Sequence, residues 1–174
     1  MSSLKLPDTL PTPDREEVFS AVADVAERSF FAMVDPCDDA RFAELSEPHT
    51  DWLVATVRFE ERTCAGTVSC RLPNVLADRL FDAFSGRDAE EPAPHPEEVR
   101  DLVGEFANMV CGAWLTRAAN DRTFNLGKPS VGTKPVTGGV AETRTGLMVA
   151  IDDMPCQIDV RFYATQPPLA SRQG

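Results

Sequence analysis

Glu105 and Asn108 are the two residues whose types and spacing are best suited to chemistry. They lie three residues apart within residues 97–119, where apolar residues recur at helical spacing, so on a helix they would be surface neighbours. The rest of the chain shows no Gly-rich phosphate loop, no His/Cys cluster and no nucleophile with a base beside it. Any chemistry is therefore expected at this carboxylate and amide.

A helical projection of residues 97–119 at about 100° per residue separates two faces. The predicted core face holds Val99, Leu102, Val103, Phe106, Val110, Ala113 and Trp114. The predicted open stripe holds Asp101, Glu105, Asn108 and Gly112.

Two glycines flank the Glu/Asn pair and need an explanation. Gly104 and Gly112 each cost about 1 kcal/mol relative to alanine inside a helix. Close approach of a macromolecular partner would explain them, because small side chains would leave the helix surface open. The alternative is a solvated face with a helix–helix contact at the glycines.

The order of the remaining elements predicts an α+β fold. Helices are expected at about residues 14–34, 74–86 and 97–119, and strands at 52–59, 63–72, 123–133, 140–151 and 156–164. Residues 36–50 could hold a short edge strand or a turn of helix. Consecutive strands without crossover helices favour antiparallel pairing. We expect an antiparallel-rich sheet of about six strands with two long helices, each leading one half of a pseudo-repeat.

Length and composition set the domain organisation. The 174 residues fit one domain, which we place at residues 14–165, with a flexible leader at 1–13 and a flexible tail at 166–174. The acidic, proline-rich residues 87–96 are interpreted as a surface loop, because the pieces on either side are too short to fold alone.

The charge and the cysteine content restrict which binding partners and which cellular compartment are expected. A net charge of −11 argues against nucleic acid or an anionic membrane as the main partner. Five cysteines form an odd set without metal-binding spacing, so no metal site is expected. With neither a secretion signal nor an apolar run of about 20 residues, the chain is predicted to be cytoplasmic.

The run from Asp101 to Gly112 resembles the signature helix of the CheC/CheX chemotaxis phosphatases, which carries Glu-x-x-Asn followed closely by glycine. The downstream run from Leu126 to Gly132 is similar to a strand of that family, and the element order over roughly residues 14–164 also matches. CheC-type members have a second Glu-x-x-Asn in the first long helix. Here Glu27 is present but Phe30 stands where the asparagine would be, so the chain resembles the single-site, CheX-like branch.

The resemblance implies hydrolysis of the aspartyl phosphate of a CheY-like response-regulator receiver domain. It implies that Asn108 orients the attacking water, that Glu105 docks to the receiver's lysine, and that Asp101, Gly104 and Gly112 contact the partner. The receiver would supply Mg²⁺, so the chain would need no cofactor or metal of its own.

Three points stay open after the resemblance. The same helix face could serve a non-catalytic adaptor that binds a receiver or a flagellar-switch protein. A homodimer is implied by the family alone. Lys128 and Lys134 have no place in the family pattern.

Overall fold

A single antiparallel sheet forms the centre of the computed structural model, which describes residues 12–136 and 143–164. The helices are α1 (Arg15–Phe30), α2 (Asp39–Ser46), α3 (Asn74–Ser85) and α4 (Pro96–Ala118). The strands are β1 (Val34–Pro36), β2 (Trp52–Glu60), β3 (Cys64–Pro73), β4 (Asn125–Leu126), β5 (Ser130–Gly132), β6 (Thr143–Ile151) and β7 (Met154–Ala164).

The described strands pair in the order β1-β6-β7-β3-β2-β4, with β5 also paired to β2. Every pair is antiparallel. The predicted α+β class with an antiparallel-rich sheet and two long helices is confirmed, with seven strands in the described residues rather than about six. The pseudo-repeat of two halves stays a prediction, as do the flexible leader and tail, which lie largely outside the described residues. The adjacent glycines Gly138 and Gly139 predict a hairpin turn, and this prediction lies outside the described residues.

The first helix ends four residues earlier than the sequence predicts. Phe31 adopts a left-handed conformation with φ 53°, and the Ala32 N–H donates to the Ala26 carbonyl at 3.1 Å, which reverses the chain. The following residues then pair with β6 as β1 instead of extending the helix. Met33, which the predicted helix at residues 14–34 included, is consequently 69% exposed.

The core lies between one face of the sheet and helices α1, α3 and α4. Phe59 from β2 and Phe162 from β7 contact the Trp114 ring of α4, at centroid distances of 5.6 and 5.5 Å. Phe30 of α1 meets Phe106 of α4 edge-on at 5.4 Å. These aromatic contacts hold α4 against both the sheet and α1.

The opposite face of the sheet is covered differently. Helix α2 contacts β6 and β7, while residues 133–136 cross β2. There the Val136 N–H donates to the Thr56 hydroxyl at 3.2 Å, and that hydroxyl is 3.1 Å from the hydroxyl of Ser69. Lys134 lies in this crossing segment and is exposed.

All five cysteines are reduced and buried. Burial raises the pKa of the Cys111 and Cys156 thiols to about 12, which keeps them protonated at neutral pH. The described residues contain no group of three His, Cys, Asp or Glu side chains arranged to hold a metal ion. Within the same part of the chain, no helix is both long and apolar enough to cross a membrane.

Gly66 on β3 provides a test of this packing. A Cβ atom at this position would collide with the Arg161 carbonyl oxygen and the Phe59 ring, so Gly66→Ala should lower the free energy of unfolding by roughly 3 kcal/mol. The matched control is Gly146→Ala on β6, where an added Cβ meets nothing within 4 Å. Urea unfolding should show little loss for the control, and equal losses in both variants would contradict the packing described here.

Candidate active site on helix α4

Helix α4 begins at a well-formed N-terminal cap. The His95 imidazole accepts the Glu97 N–H at 3.3 Å, and the Glu98 carboxylate accepts the His95 N–H at 3.1 Å, which completes a capping box. Pro96 occupies the first helical position, where its missing N–H costs nothing. The start of the helix is therefore fixed three turns before Asn108.

The core face of α4 fixes how the helix is rotated. Val103, Phe106 and Val110 are fully buried and Trp114 is 1% exposed, as the helical projection predicted, whereas Ala113 of the same predicted face is half-buried. Because these side chains are held in a close-packed core, the helix cannot rotate about its axis without breaking that packing. The opposite stripe is thereby presented in one orientation.

That stripe carries the Glu/Asn pair on its surface. Asp101 and Glu105 are exposed, whereas Asn108 and Gly112 are half-buried. Within the described residues, neither the Glu105 carboxylate nor the Asn108 amide has a hydrogen bond or an ion pair. Both groups are thus available to a partner or to solvent, on adjacent turns of a rigid helix.

Gly104 does not leave the surface open, contrary to the sequence-based expectation. It is buried, and a Cβ atom there would lie 3.1 Å from the Pro129 Cβ and 3.3 Å from the Val131 Cγ2. The missing side chain instead lets the segment at β5 pack against α4, so the helix–helix alternative is also wrong for this residue. Gly112 meets nothing within 4 Å and does leave the stripe open.

A small cleft of about 150 Å³ separates the stripe from that packed segment. The Arg100 guanidinium donates to the Val131 carbonyl at 2.6 Å and ties the segment to the helix. Lys128 is exposed and lines the cleft together with Asp101 and Glu105. The structure thus brings two cations, Arg100 and Lys128, to the edge of the acidic stripe.

Sequence reasoning placed neither of these cations beside the stripe. Arg100 lies one helical turn before Gly104, so the projection could have placed it beside the stripe. Lys128 lies in a loop without periodicity, and only the tertiary contact at Gly104 brings it there.

A second cleft, of about 330 Å³, adjoins Gly112 at the other end of the stripe. Leu115 and Thr116 of α4 line it, together with residues of the connection that leads to β4. The Arg122 guanidinium beside it is paired with Glu61 at 3.0 Å. Asn108 therefore lies on a ridge between two recesses.

Helix α1 offers no comparable pair. Glu27 is exposed, but Phe30, three residues later, is 1% exposed and packs against Phe106. A side chain at that position points into the core, so α1 presents a carboxylate without a neighbouring amide. This agrees with a single site on α4.

A comparison with protein-family models decides the family. Residues 53–146, which include all of α4 and β5, match the model described as chemotaxis phosphatase CheX. The chain belongs to the CheX family. A search of curated protein sequences finds no match.

Solved CheX structures share the fold of this family member. CheX from Vibrio vulnificus superposes with a TM-score of 0.62 at 17% identity, covering 85% of this chain and 95% of that one. CheX from Desulfovibrio desulfuricans superposes with a TM-score of 0.63 at 15% identity, covering 86% of this chain and 97% of that one. A chain in a CheX–CheY–BeF3–Mg²⁺ complex from Borrelia burgdorferi superposes with a TM-score of 0.58 at 13% identity, covering 86% of this chain and 98% of that one.

The two glycines of α4 should respond oppositely to alanine. Gly112→Ala should raise the free energy of unfolding by about 0.5–1 kcal/mol, because alanine is the better helix former and its Cβ meets open space. Gly104→Ala should gain no stability, because its Cβ presses on Pro129. Thermal melts of both variants test this, and stabilisation by Gly104→Ala would mean that the β5 segment does not pack on α4.

Proposed function

We propose that this CheX-family chain hydrolyses the aspartyl phosphate of a phosphorylated, CheY-like receiver domain, using Glu105 and Asn108. The observation that carries the proposal is their placement side by side on a rigid helix, without hydrogen-bond or ion-pair partners among the described residues. Such a helix can enter a partner's active site as a unit. Family membership supports phosphatase activity, and the residue roles are our inference.

Asn108 would position the attacking water. An acyl phosphate is already reactive, so its hydrolysis needs chiefly an in-line water molecule and the exclusion of other geometries. The Asn108 side-chain oxygen can accept a hydrogen bond from that water. The water oxygen then bonds to phosphorus while the bond from phosphorus to the aspartate oxygen breaks. The products are the receiver's aspartate carboxylate and inorganic phosphate, and Asn108 acts as an orienting group rather than a base.

Glu105 would set the register of the complex. As an anion without a partner in the described residues, it can pair with the lysine expected in the receiver's active site. The pair would matter most after desolvation at the interface. Asp101 and Gly112 would lie at the two ends of the contact, and Gly104 would act indirectly by seating the β5 segment.

The receiver, rather than this chain, would hold the Mg²⁺. A fold relative from Borrelia burgdorferi has been crystallised as a complex with CheY, BeF3 and Mg²⁺, which supports a receiver as the partner. The stripe of this chain would approach that phosphoryl site without contributing a metal ligand. A homodimer and a cytoplasmic location stay predictions.

Asn108→Ala should lower receiver dephosphorylation by roughly 10²-fold, as expected when one positioned catalytic group is lost. Binding of the receiver should change little, because an uncharged amide acts mainly in the transition state. Phosphate release and a binding titration measure the two quantities separately. A variant that keeps full turnover would remove Asn108 from the mechanism.

Glu105→Ala should weaken both receiver binding and turnover, by roughly 2–5 kcal/mol if the pair is buried in the complex. The matched control is Glu27→Ala, which removes an exposed carboxylate from α1, where no amide accompanies it. Glu27→Ala should bind the receiver and release phosphate as the unaltered chain does. Thermal melts should show that both variants are folded. Equal losses in the two variants would indicate a general charge effect rather than docking.

The rate of phosphate release with the unaltered chain distinguishes a phosphatase from a non-catalytic adaptor. A phosphatase must release phosphate faster than the receiver loses it unaided. If the receiver binds α4 without faster release, the same face serves an adaptor and the catalytic proposal fails.

A further inference from the structure

The face of the sheet that points away from α4 carries a second charged feature. Arg71 of β3, Arg144 of β6, and Arg161 and Asp159 of β7 line a recess of about 210 Å³, here called the arginine recess. Val54, Ser69, Pro135 and Gln157 complete its lining. These residues alternate along their strands with the core residues, so the recess opens on the side opposite α4.

The charges on the described residues that line the arginine recess do not cancel. Both oxygens of the Asp159 carboxylate accept hydrogen bonds: one from the Arg144 Nε–H at 2.8 Å and the other from the Arg161 Nε–H at 2.9 Å. Two guanidinium groups thus share this carboxylate, and Arg71 adds a third positive charge, so the described lining carries two positive charges in excess. This excess is notable on a chain whose net charge is −11.

Arg71 is held in place without an anionic partner in the described residues. Its guanidinium carbon lies 4.0 Å from the centroid of the Trp52 ring, which is a cation–π contact. Such stacking orients the guanidinium plane but leaves its N–H edge free to donate.

Sheet stability alone does not explain this arrangement. Arg144 and Arg161 are directly opposite each other across β6 and β7, and like charges in that position are destabilising. Asp159 offsets part of the repulsion. Its cross-strand neighbour on β6 is Gly146, where an added Cβ would meet nothing within 4 Å. Among the described residues, nothing therefore fills the position beside Gly146 on this strand pair.

We propose that the arginine recess binds a small dianionic oxyanion, such as a phosphate monoester or a dicarboxylate. Phosphate and carboxylate groups match the planar donor fork of arginine, and two negative charges would balance the excess of the recess. Asp159, which pairs with Arg144 and Arg161, would hold both guanidinium groups in position for the ligand. The volume suits a small molecule rather than a polypeptide segment.

Amide NMR titration of the intact chain at constant ionic strength tests the proposal. The probes are glycerol phosphate, inorganic phosphate and succinate, with chloride as the reference anion. We expect saturable shifts at Ser69, Arg71, Arg144 and Gln157 at or below roughly 10 mM ligand. Stronger binding of the phosphates or of succinate identifies which oxyanion the recess prefers.

Arg71→Gln should weaken this binding by about tenfold, because it removes a charge-assisted hydrogen-bond donor. The matched control is Arg58→Gln, which removes one positive charge from β2 on the same sheet face, where Arg58 pairs with Glu60 outside the recess. The control should bind the anion as the parent does, and both variants should keep their melting temperature.

Three results would overturn the proposal. Shifts that grow linearly with anion concentration would show screening only. Equal losses in Arg71→Gln and Arg58→Gln would show general attraction to a positive face. Self-association of the chain that Arg71→Gln abolishes, without anion binding, would mean that an acidic surface of a second copy occupies the recess.

Discussion

The contact of Trp114 with Phe59 and Phe162 is the interaction on which the rest of the structure depends. It joins α4 to the β2 and β7 strands at once, and truncating a residue of this kind in a core typically costs 3–5 kcal/mol. The Trp114 Nε1 has no hydrogen-bond partner among the described atoms. Ring packing is therefore favoured here even though a polar atom stays unsatisfied, and it sets the rotation of α4.

This constraint explains how the exposed stripe tolerates unfavourable residues. Asn108 and Gly112 are poor choices inside a helix, yet α4 remains regular through both. The buried face and the capping box supply the stability that the stripe lacks. Residues with low helix propensity thus occur where a partner is proposed to bind, as expected for a functional surface.

Periodicity in the sequence located the elements that depend on local patterns. The β2–β3 hairpin, α3 with its cap at Gly86, and the buried face of α4 all follow from alternation or helical spacing. The end of α1 was missed because Phe31, rather than a glycine, adopts the left-handed turn. The candidate pair on α4 was visible because both residues lie on one helix.

Non-local contacts could not be predicted in the same way. Gly104 is small because Pro129, 25 positions later, packs on it, so its sequence context suggested an open surface. The arginine recess arises from the register of β3, β6 and β7, which brings together residues that no local pattern connects.

The central claim is that a receiver docks on the α4 stripe, and amide NMR mapping with an activated receiver tests it most directly. The account predicts chemical-shift changes at Asp101, Glu105, Asn108 and Gly112, with smaller changes at Lys128, and much weaker changes with the unphosphorylated receiver. Changes confined to α1 or to the outward face of the sheet, with the α4 stripe unaffected, would contradict it.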